Sequence, residues 1–549
     1  MLLRFVLLLI PLVASAQGDA ALRLAARLEG PVVTGSVLHD PAALQRFYAA
    51  RGFEPAWTGP DCARWLTELG ESIAKVDSHG LAPRAYHLEA LRSPTACAED
   101  IELLATDAFL LLAAHLHGGR LDPLTVEPDW SAQRPGVDAV HELQQALANG
   151  AVAARLEALA PQDAFYRSLR AALAEERARL DAPRPPAVMP GPALRLGDSG
   201  PRVAQLRALL RAEGLLQDRP PLSFTALEFE TYDPVLGSSA PIDAEHALQS
   251  AEDSFDPGLE DALKRYQQRA NLEPDGVAGV LSLAQLARGP AERIQQLRAN
   301  LERWRWLPRE LGARHIRVNI ADYRLEAWSD GRVERVHRVM VGTLYRQTPS
   351  FSADLRYVVL NPSWEVPRRL AVQDKLPLFR RDPEAFQRLG YELLDAAGEV
   401  IDAADIDFSA LSRQHFPYRL RQRPGSANAL GQVKLILPNR HDIYLHDTPS
   451  RALFERVRRS FSSGCIRVED ALGLAEWTLA GRRDADRARI DAVLASGVET
   501  RLDLDAAVPV HLLYLTVAAS EERGLRYLDD LYGRDAVLLR ALDAGPGDD

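Results

Sequence analysis

Two short stretches of the chain carry residue types that could perform nucleophilic chemistry. Residues 442–447 read Asp-Ile-Tyr-Leu-His-Asp, and this alternation of polar and apolar residues predicts a half-buried strand. On such a strand Tyr444 and His446 lie on one face, while the aliphatic residues beside them face the core. Residues 460–467 follow, with the sequence Ser-Phe-Ser-Ser-Gly-Cys-Ile-Arg. A strand histidine and the loop residue Cys465, once brought together, would form an activated thiol nucleophile.

The residues around Cys465 indicate how its thiol would be activated. Residues 468–477 have the pattern of a helix with acidic residues in its first turn, where the helix dipole favours them. A cysteine directly before a helix N-terminus has a lowered pKa and a larger thiolate fraction. The small residues Ser462, Ser463 and Gly464 would let backbone N–H groups approach an oxyanion. The alternative is a buried and inert free cysteine.

The order of these residues resembles the catalytic motif of the L,D-transpeptidases, cysteine enzymes that cross-link peptidoglycan. That family carries a histidine, a gap and then a Ser-(His)-Gly-Cys-x-Arg segment, matched here by His446 and residues 462–467. Many members have histidine where this chain has Ser463, but the large periplasmic branch also uses serine. The resemblance implies Cys465 as nucleophile and His446 as general base, with Ser463 and Gly464 supplying backbone donors.

The same resemblance implies a reaction and a set of residues on the substrate side. The thiolate would attack the carbonyl after the L-centre of a stem tetrapeptide, D-Ala would leave, and the diaminopimelate amine of a second stem would attack the thioester. Arg467 would bind a substrate carboxylate through paired hydrogen bonds, unless a following acidic residue pairs with it instead. Tyr444, Ser462 and Trp364 are the further candidates for substrate contacts, with an ordinary core tryptophan as the alternative for Trp364.

The local charge around the motif differs from that of the whole chain. Residues 419–470 contain ten basic and five acidic residues, whereas the whole chain has a net charge of -11. A basic mouth on an acidic protein can steer carboxylate-rich peptides, and a solvated basic face is the alternative. Asp447 points away from His446 on the predicted strand, so we expect a backbone carbonyl to orient the imidazole.

The N-terminus has the pattern of a secretory signal. Residues 1–16 combine an early arginine, an apolar run and a final Ala-Ser-Ala. An uncleaved membrane anchor is the alternative, although the apolar run is short for a membrane span. We find no later stretch that is long and apolar enough to cross a bilayer. The mature protein is therefore expected in the periplasm.

Length and composition bound the architecture and exclude some classes of function. A chain of 549 residues with 47% hydrophobic residues predicts three or more globular domains. The negative net charge argues against nucleic acid as a general partner. We find neither a phosphate-binding glycine loop nor a zinc-ligand cluster, so we expect no metal and no other cofactor.

The three cysteines bear on the state of the nucleophile. An exported chain oxidises its thiols, and an odd count leaves one cysteine unpaired. Cys62 and Cys97 lie in one predicted domain, so their pairing would leave Cys465 free. Two free thiols in a helical core are the alternative, because pairing needs a geometry that sequence does not show.

The predicted fold class is multidomain α+β, and the domains follow one another along the chain. They are a signal (1–16), a helical domain (20–180), a Pro-rich linker (181–192), a three-helix domain (193–290) with an acidic insertion (217–254), a mainly β catalytic domain (297–537) with an inserted lid (368–429), and a loose tail (538–549). The helical domain resembles the N-terminal scaffold of the large periplasmic L,D-transpeptidases. The three-helix domain resembles the small peptidoglycan-binding domain, and a helical spacer without a ligand is the alternative.

Two features of these domains invite other interpretations. His79 and His87 could suggest a metal site, but capping or packing roles are favoured because nothing else with ligand spacing accompanies them. The acidic insertion has the composition of a solvated or mobile loop. A docking surface remains the alternative for it.

The catalytic domain is predicted from alternating strands on both sides of the lid. Residues 315–320, 323–328 and 333–341 form its first strands, and residues 432–437 restart the sheet beside the His446 strand. Residues 510–518 and 525–532 look like a closing strand pair of the same domain.

Three rival functions remain beside peptidoglycan cross-linking. The first is a hydrolytic relative that trims peptidoglycan or releases wall-linked proteins. The second is a cysteine peptidase acting on proteins, and the third is a wall-binding scaffold without activity. Stem peptides are the expected partners, with cell-wall synthases as a further partner class.

Overall fold

The structure is a computed structural model, and it describes most of the chain. Described are residues 21–28, 30, 32–33, 36–92, 99–216, 252–403, 406–482, 485–520 and 524–544. The predicted signal at 1–16, Cys97 and nearly all of the predicted acidic insertion lie outside the described residues. The predictions made for them therefore stay predictions.

The N-terminal region is helical, as predicted. Its α-helices are α1 (Pro41–Ala49), α2 (Cys62–Ala74), α3 (Leu88–Leu91), α4 (Glu99–Gly118), α5 (Pro123–Val126), α6 (Ala139–Ala148), α7 (Val152–Leu159) and α8 (Ala164–Ala178). Two 3₁₀ turns, Val76–His79 and Pro83–Tyr86, and a small strand pair, β1 (Val32–Val33) and β2 (Ser36–Val37), accompany them. Aspartates start several of these helices, because a carboxylate at the N-cap accepts a free backbone N–H: Asp40 accepts from Ala43 and Asp163 from Tyr166.

Helix α4 corrects one prediction about the membrane. Its segment Ile101–Gly118 is long and apolar enough to span a bilayer by length and composition, with a hydropathy of 1.3. The prediction that no stretch after the signal is long and apolar enough to cross a bilayer is therefore wrong by these criteria. Most of this segment is buried inside the helical domain, where Leu103, Ala108 and Phe109 are fully covered by neighbouring helices. Its apolar character is that of a core helix.

A three-helix unit follows the linker. It consists of α9 (Pro201–Ala212), α10 (Pro257–Arg269) and α11 (Val280–Ala287), which pack Leu206, Leu263 and Leu286 into a core of their own. Within the described residues of this unit, three helices are found, the number predicted for the peptidoglycan-binding domain. Pro201 and Pro257 stand at the first turns of their helices, where the missing N–H has no intrahelical partner to lose.

The helical domain is completed by two later segments of the chain. Helix α12 (Pro290–Arg305) and the C-terminal helix, Arg534–Asp543, bury Leu297, Leu301 and Leu538 in the same core as α1–α8. The predicted boundary at 297 and the predicted loose tail from 538 are therefore wrong. Apolar side chains at helical spacing give the C-terminal helix a face to bury, and the scaffold supplies the surface that covers it.

The catalytic domain is a mixed nine-stranded sheet that closes on itself. Its strands are β3 (Arg314–Asn319), β4 (Arg324–Ser329), β5 (Arg332–Gly342), β6 (Phe351–Leu360), β11 (Val433–Ile436), β12 (Leu445–His446), β13 (Ser460–Ser462), β14 (Ile466–Val468) and β15 (Thr500–Leu513). They lie in the order β13-β5-β14-β12-β11-β6-β15-β3-β4, and a further β4–β5 pairing closes the sheet. Helices Ala471–Leu479 and Arg487–Ser496 cover one side.

The end of the chain departs from the predicted closing strand pair. Strand β15 belongs to the main sheet, between β6 and β3. Strands β16 (Val517–Ser520) and β17 (Gly524–Tyr527) form a separate two-stranded sheet, and Val517 packs into the helical core.

The predicted lid is a folded subdomain. It holds helices Arg368–Leu370, Leu376–Arg381 and Glu384–Arg388 with a π-helical turn at Ala371–Lys375, and a four-stranded sheet of β7 (Trp364–Val366), β8 (Tyr391–Leu394), β9 (Val400–Ile401) and β10 (Arg419–Gln422). The strand pattern of the sequence is interrupted across 368–429 by helical and loop sequence, so this small sheet is not predicted. Phe379, Phe386, Tyr391 and Leu393 give this subdomain, called the cap below, its own core.

Candidate active site

Strand register brings the predicted catalytic residues onto one face of the sheet. Strands β12 and β14 run parallel, with Leu445 beside Ile466 and His446 beside Arg467. Paired residues of neighbouring strands point to the same face, so Ile466 and Leu445 enter the core while His446 and Arg467 face away from it. Continued by one residue, this register sets Cys465 level with Tyr444. Cys465 and His446 are then diagonal neighbours, for which the Cβ atoms are typically somewhat less than about 7–8 Å apart.

The environment of His446 fixes its tautomer and its charge. Its Nδ1 lies 2.6 Å from the backbone oxygen of Asp447, and a carbonyl can only accept, so Nδ1 carries the proton. Nε2 is left as the basic nitrogen. Burial, the Arg467 charge and the Lys434 charge lower the pKa of His446 to about 3, so the imidazole is neutral near pH 7. The Asp447 carbonyl thus orients the imidazole, as the sequence predicts for a backbone carbonyl.

The Asp447 carboxylate does not bind the His446 imidazole, as the acid of a catalytic triad would. Its carboxylate accepts the N–H of Gln432 at 2.9 Å and pairs with Arg451 at 2.7 Å. A Cβ at Gly431 would come within 2.2 Å of this carboxylate, so only glycine fits there. Asp447 thus ties β12 to the turn before β11 and holds the strand that carries His446.

The thiol of Cys465 is protonated at rest. Its Sγ–H donates to the carbonyl of Asp442 at 3.7 Å, and Cys465 is the free cysteine among the described residues. Burial raises the pKa of Cys465, while hydrogen bonds from Tyr444 and the charges of Lys434 and Arg467 act to lower it. The resting pair is therefore a neutral thiol with a neutral imidazole.

The predicted activation by a helix N-terminus does not occur. Cys465 leads directly into strand β14, and the next helix begins only at Ala471, with Asp470 as its N-cap accepting from Gly473. The polar residues after Cys465 mimic a helix start, but sheet pairing with β12 and β5 claims the next three residues. The groups that act to lower the pKa of Cys465 are instead Tyr444 and the charges of Lys434 and Arg467.

The turn before Cys465 is held by its own hydrogen bonds. The N–H of Gly464 donates to the buried Ser462 Oγ at 3.0 Å, and the Gly464 carbonyl accepts from the Thr348 hydroxyl at 2.7 Å. Ser462 therefore shapes the turn from a buried position, and the Gly464 N–H is engaged, in contrast to the substrate and oxyanion roles predicted for them. Gly464 has φ 124°, a conformation that glycine adopts readily. Ser463 is exposed, and its Oγ accepts from Arg346 at 3.0 Å.

Tyr444 and Trp364 connect the catalytic face to the cap. The Tyr444 ring lies 5.5 Å from the His446 ring, and the Tyr444 side chain also packs against the core of the cap. Trp364 is buried in that core and acts to lower the pKa of Tyr444. Trp364 is therefore a core residue of the cap that also lies next to a residue of the site, Tyr444.

Two lysines lie at the site without a specific role predicted for them, although Lys434 is one of the ten basic residues counted in 419–470. Lys434 lies on β11 beside His446, with Nζ 4.1 Å from the centre of the Tyr444 ring. Lys375 reaches in from the cap, 5.4 Å from Trp364 and 5.5 Å from Tyr391. A single sequence gives no signal for them, because their neighbours belong to other segments of the chain.

The two histidines considered for a metal lie apart in the helical domain. His79 contacts the Tyr166 hydroxyl at 3.0 Å and Glu157 at 3.3 Å. His87 instead joins His39 at Asp107, with N–O distances of 2.7 and 2.8 Å.

The His39, His87 and Asp107 donor atoms lie within 4.8 Å of one another, a ligand set that could hold a divalent cation. Both imidazoles already donate to the same Asp107 oxygen, and Asp107 also accepts the backbone N–H groups of His39 and Asp40. The cluster is thus a complete hydrogen-bond network that ties the segment before α1 to α4.

Comparison with known families divides the chain into three matched parts. Residues 42–173 match a scaffold domain, residues 243–286 match a domain described as "Putative peptidoglycan binding domain", and residues 313–490 match the L,D-transpeptidase catalytic domain. The last range contains Cys465, His446 and the cap.

Individual proteins give a further comparison. A "Putative L,D-transpeptidase" of Haemophilus influenzae is 41% identical over 243 residues, which are 44% of this chain and 48% of that protein, so the match spans about half the length of that relative. Crystal structures of L,D-transpeptidases from Xylanimonas cellulosilytica and Stackebrandtia nassauensis are 13% and 10% identical, with TM-scores of 0.16 and 0.20. They cover 59% and 60% of this chain and 99% and 96% of their own. Likeness at these scores establishes nothing further about this chain.

Proposed function

We propose that this chain, which carries an L,D-transpeptidase catalytic domain together with scaffold and peptidoglycan-binding domains, cross-links peptidoglycan stem peptides through a thioester on Cys465. The observation that carries the proposal is the β12–β14 register, which sets Cys465 and a neutral His446 on one sheet face beside cationic side chains. A thiol with a neighbouring base is suited to acyl transfer, and the cations suit a substrate that bears carboxylates.

The proposed first step is formation of the thioester. His446 Nε2 takes the thiol proton as Sγ attacks the carbonyl carbon after the L-centre of the donor stem. Because the thiol pKa is raised and the imidazole pKa is low, proton removal is expected to accompany the attack rather than precede it. The carbon–nitrogen bond then breaks, and the protonated imidazole gives its proton to the departing D-Ala amine.

The proposed second step releases the acyl group to an acceptor. The side-chain amine of diaminopimelate in a second stem attacks the thioester carbon and loses a proton to Nε2. The carbon–sulfur bond breaks, and the thiolate recovers its proton from the imidazole. Water in place of the amine would give hydrolysis, which is the rival activity. The cap, joined to the site through Trp364 and Tyr444, is positioned to influence which acceptor enters.

We further propose that the protein acts in the periplasm after export by the predicted signal at 1–16. Arg467 is proposed to bind a substrate carboxylate: its Nε is buried without a hydrogen-bond partner in the described chain. Stem peptides are the proposed partners, and cell-wall synthases are a further proposed class.

The test is incubation of the purified full chain with disaccharide tetrapeptides. The expected results are a covalent adduct on Cys465 in intact-protein mass spectra and release of cross-linked dimers. Cys465→Ala should give neither product while keeping its circular dichroism spectrum, because alanine is close in size to cysteine. Turnover by that variant would exclude the cysteine mechanism. Trimmed monomers without dimers would assign hydrolysis to the wild-type protein.

A further inference from the structure

The catalytic face holds cations without counter-ions. Lys434, Lys375 and Arg467 are partly buried, and none of them forms an ion pair with an acidic residue of the described chain. Elsewhere in this domain, partly buried arginines have hydrogen-bond partners: Arg317 and Arg324 pair with Glu326. Arg459 donates to backbone carbonyls instead. Neither kind of partner is found for the ammonium of Lys434 or Lys375 within the described chain. The unmatched cations are therefore a local property of the site.

The position of Lys434 directs its charge toward the substrate side. Its register partner is His446, so the lysine projects from the same face as the imidazole. The ammonium lies over the Tyr444 ring at 4.1 Å, an attraction that supports a cation but leaves its hydrogen-bond donors unused. Burial lowers the pKa of Lys434, while Cys465, Glu499 and Asp442 act through their charges to raise it without forming an ion pair.

Lys375 supplies a matching charge from the cap. The adjacent Asp374 makes its ion pair with Arg346, at 2.6 and 2.8 Å, and acts on Lys375 only through its charge, without a direct contact. The Lys375 ammonium instead lies between Trp364 and Tyr391, and its charge acts on that of Arg467. The sheet thus presents Lys434 beside His446, and the cap presents Lys375 within electrostatic reach of Arg467 on the same face.

We propose that Lys434 and Lys375 bind free carboxylates of the acyl-donor peptide, Lys434 from the sheet and Lys375 from the cap. A partly buried ammonium with unused donors gains most from a carboxylate, which supplies both an opposite charge and hydrogen-bond acceptors. Because Lys434 belongs to the sheet and Lys375 to the cap, a donor peptide that binds both through two carboxylates would link the cap to the sheet. The inference rests on the proposed function for the nature of the donor. It adds that the site selects donors whose carboxylates are free.

The test compares donor tetrapeptides with free carboxylates against the same peptides amidated at one carboxylate at a time. We expect wild-type Cys465 to be acylated about tenfold faster or more by the free acid, the factor typical of one hydrogen bond to a charged group. Lys434→Met should abolish the preference for one carboxylate and Lys375→Met the preference for another, because methionine keeps the unbranched stem and removes the charge. Lys434→Arg should retain a preference.

The comparison is made within each variant for a physical reason. The Lys434 charge also acts on the Cys465 thiol, so its removal slows every donor, and the ratio of acid to amide rates cancels this common effect. Arg456→Gln, an exposed charge in the same region, serves as the matched control and should keep the wild-type ratio. Equal rates for acid and amide in the wild-type protein, or unchanged ratios in both methionine variants, would overturn the inference.

Binding separates this inference from the proposed function. Calorimetric titration of full-length Cys465→Ala with the same peptides measures recognition without chemistry. Tighter binding of the free acid, lost in Cys465→Ala/Lys434→Met, would support the lysine assignment even if no donor acylated the wild-type protein. Equal binding of acid and amide would overturn it.

Discussion

The junction of the helical domain with the catalytic domain and the face around Cys465 treat partly or fully buried charge in opposite ways. At the junction Arg303 pairs with Glu127 at 3.0 Å and Asp535 at 2.5 Å, and Arg526 pairs with Asp322 at 2.6 Å. At the catalytic face, within the described chain, Lys434 and Lys375 lack such partners. Both regions bury basic groups, but only the junction supplies the acids that make burial tolerable.

The difference separates charges that hold the protein together from charges that await a ligand. Arg303 joins α12 to the end of α5 and to the C-terminal helix, so its two carboxylate partners come from two distant segments of the chain. Removing either the arginine or its carboxylate partners would leave an uncompensated charge in the interior. The ammonium groups of Lys434 and Lys375 have no such partners in the described chain, and on the proposed function they await carboxylates of the substrate. Their missing partners can come from the peptide.

The largest effect is expected on breaking the junction pairs. Arg303→Met should lower the free energy of unfolding by about 3–5 kcal/mol, because Glu127 and Asp535 would remain buried without their cation. Denaturant unfolding followed by circular dichroism measures the loss. Adding Glu127→Gln and Asp535→Asn to the same variant should recover part of it. A single variant as stable as the wild type would show that the junction does not depend on these pairs.

A smaller effect is expected in the turn before the nucleophile, the part of the catalytic face whose polar groups are matched. Ser462→Ala should leave the Gly464 N–H unpaired, a cost of about 1–3 kcal/mol, and should slow acylation of Cys465 by about tenfold or more. Ser463→Ala is the neighbouring control, because Ser463 is exposed and contacts Arg346 only at the edge of the site. Acylation rates from timed mass spectra test the order. A larger loss in Ser463→Ala would reverse these assignments.

The charge of Lys434 should affect the pH dependence of Cys465 alkylation. Iodoacetamide reacts with the thiolate, and burial raises the pKa of Cys465, so the alkylation rate should still be rising above pH 9. Lys434→Met removes a charge that lowers this pKa, and its profile should move to still higher pH. Rates of adduct formation by mass spectrometry give both profiles, with Arg456→Gln as the control. Movement to lower pH would show that the ammonium does not act on the thiol.

The smallest effect is expected at an exposed ion pair. Lys75 and Glu71 contact each other at 3.2 Å on α2, with side chains 75% and 62% exposed. Lys75→Met should change the free energy of unfolding by less than about 0.5 kcal/mol, because solvent screens the pair. Thermal melting beside Arg303→Met tests whether burial, rather than ion pairing as such, sets the scale. A loss similar to that of Arg303→Met would remove this distinction.

Much of the architecture followed from local sequence patterns. Alternation at 442–447 correctly placed Tyr444 and His446 on one face, and the helical domain, the three-helix unit and the strands β3–β5 have the predicted class. The cap was located but its strands were not, because β8, β9 and β10 are short and pair with one another and with β7 across chain distances. The C-terminal helix was taken for a loose tail because the surface that covers it is formed far upstream.

Sequence by itself determined which residues could react: a strand histidine, a glycine–cysteine turn and the arginine after it. Their periodicity decides which face each side chain takes, since a strand alternates regardless of its neighbours. Tertiary structure alone decided that β12 lies parallel to β14, that the Gly464 N–H is satisfied by Ser462, and that Cys465 enters a strand instead of preceding a helix. It also placed Lys434 beside His446, and Lys375 between two aromatic rings within electrostatic reach of Arg467. Pairing between distant segments depends on which surfaces remain to be covered once each has formed, and no local pattern carries that information.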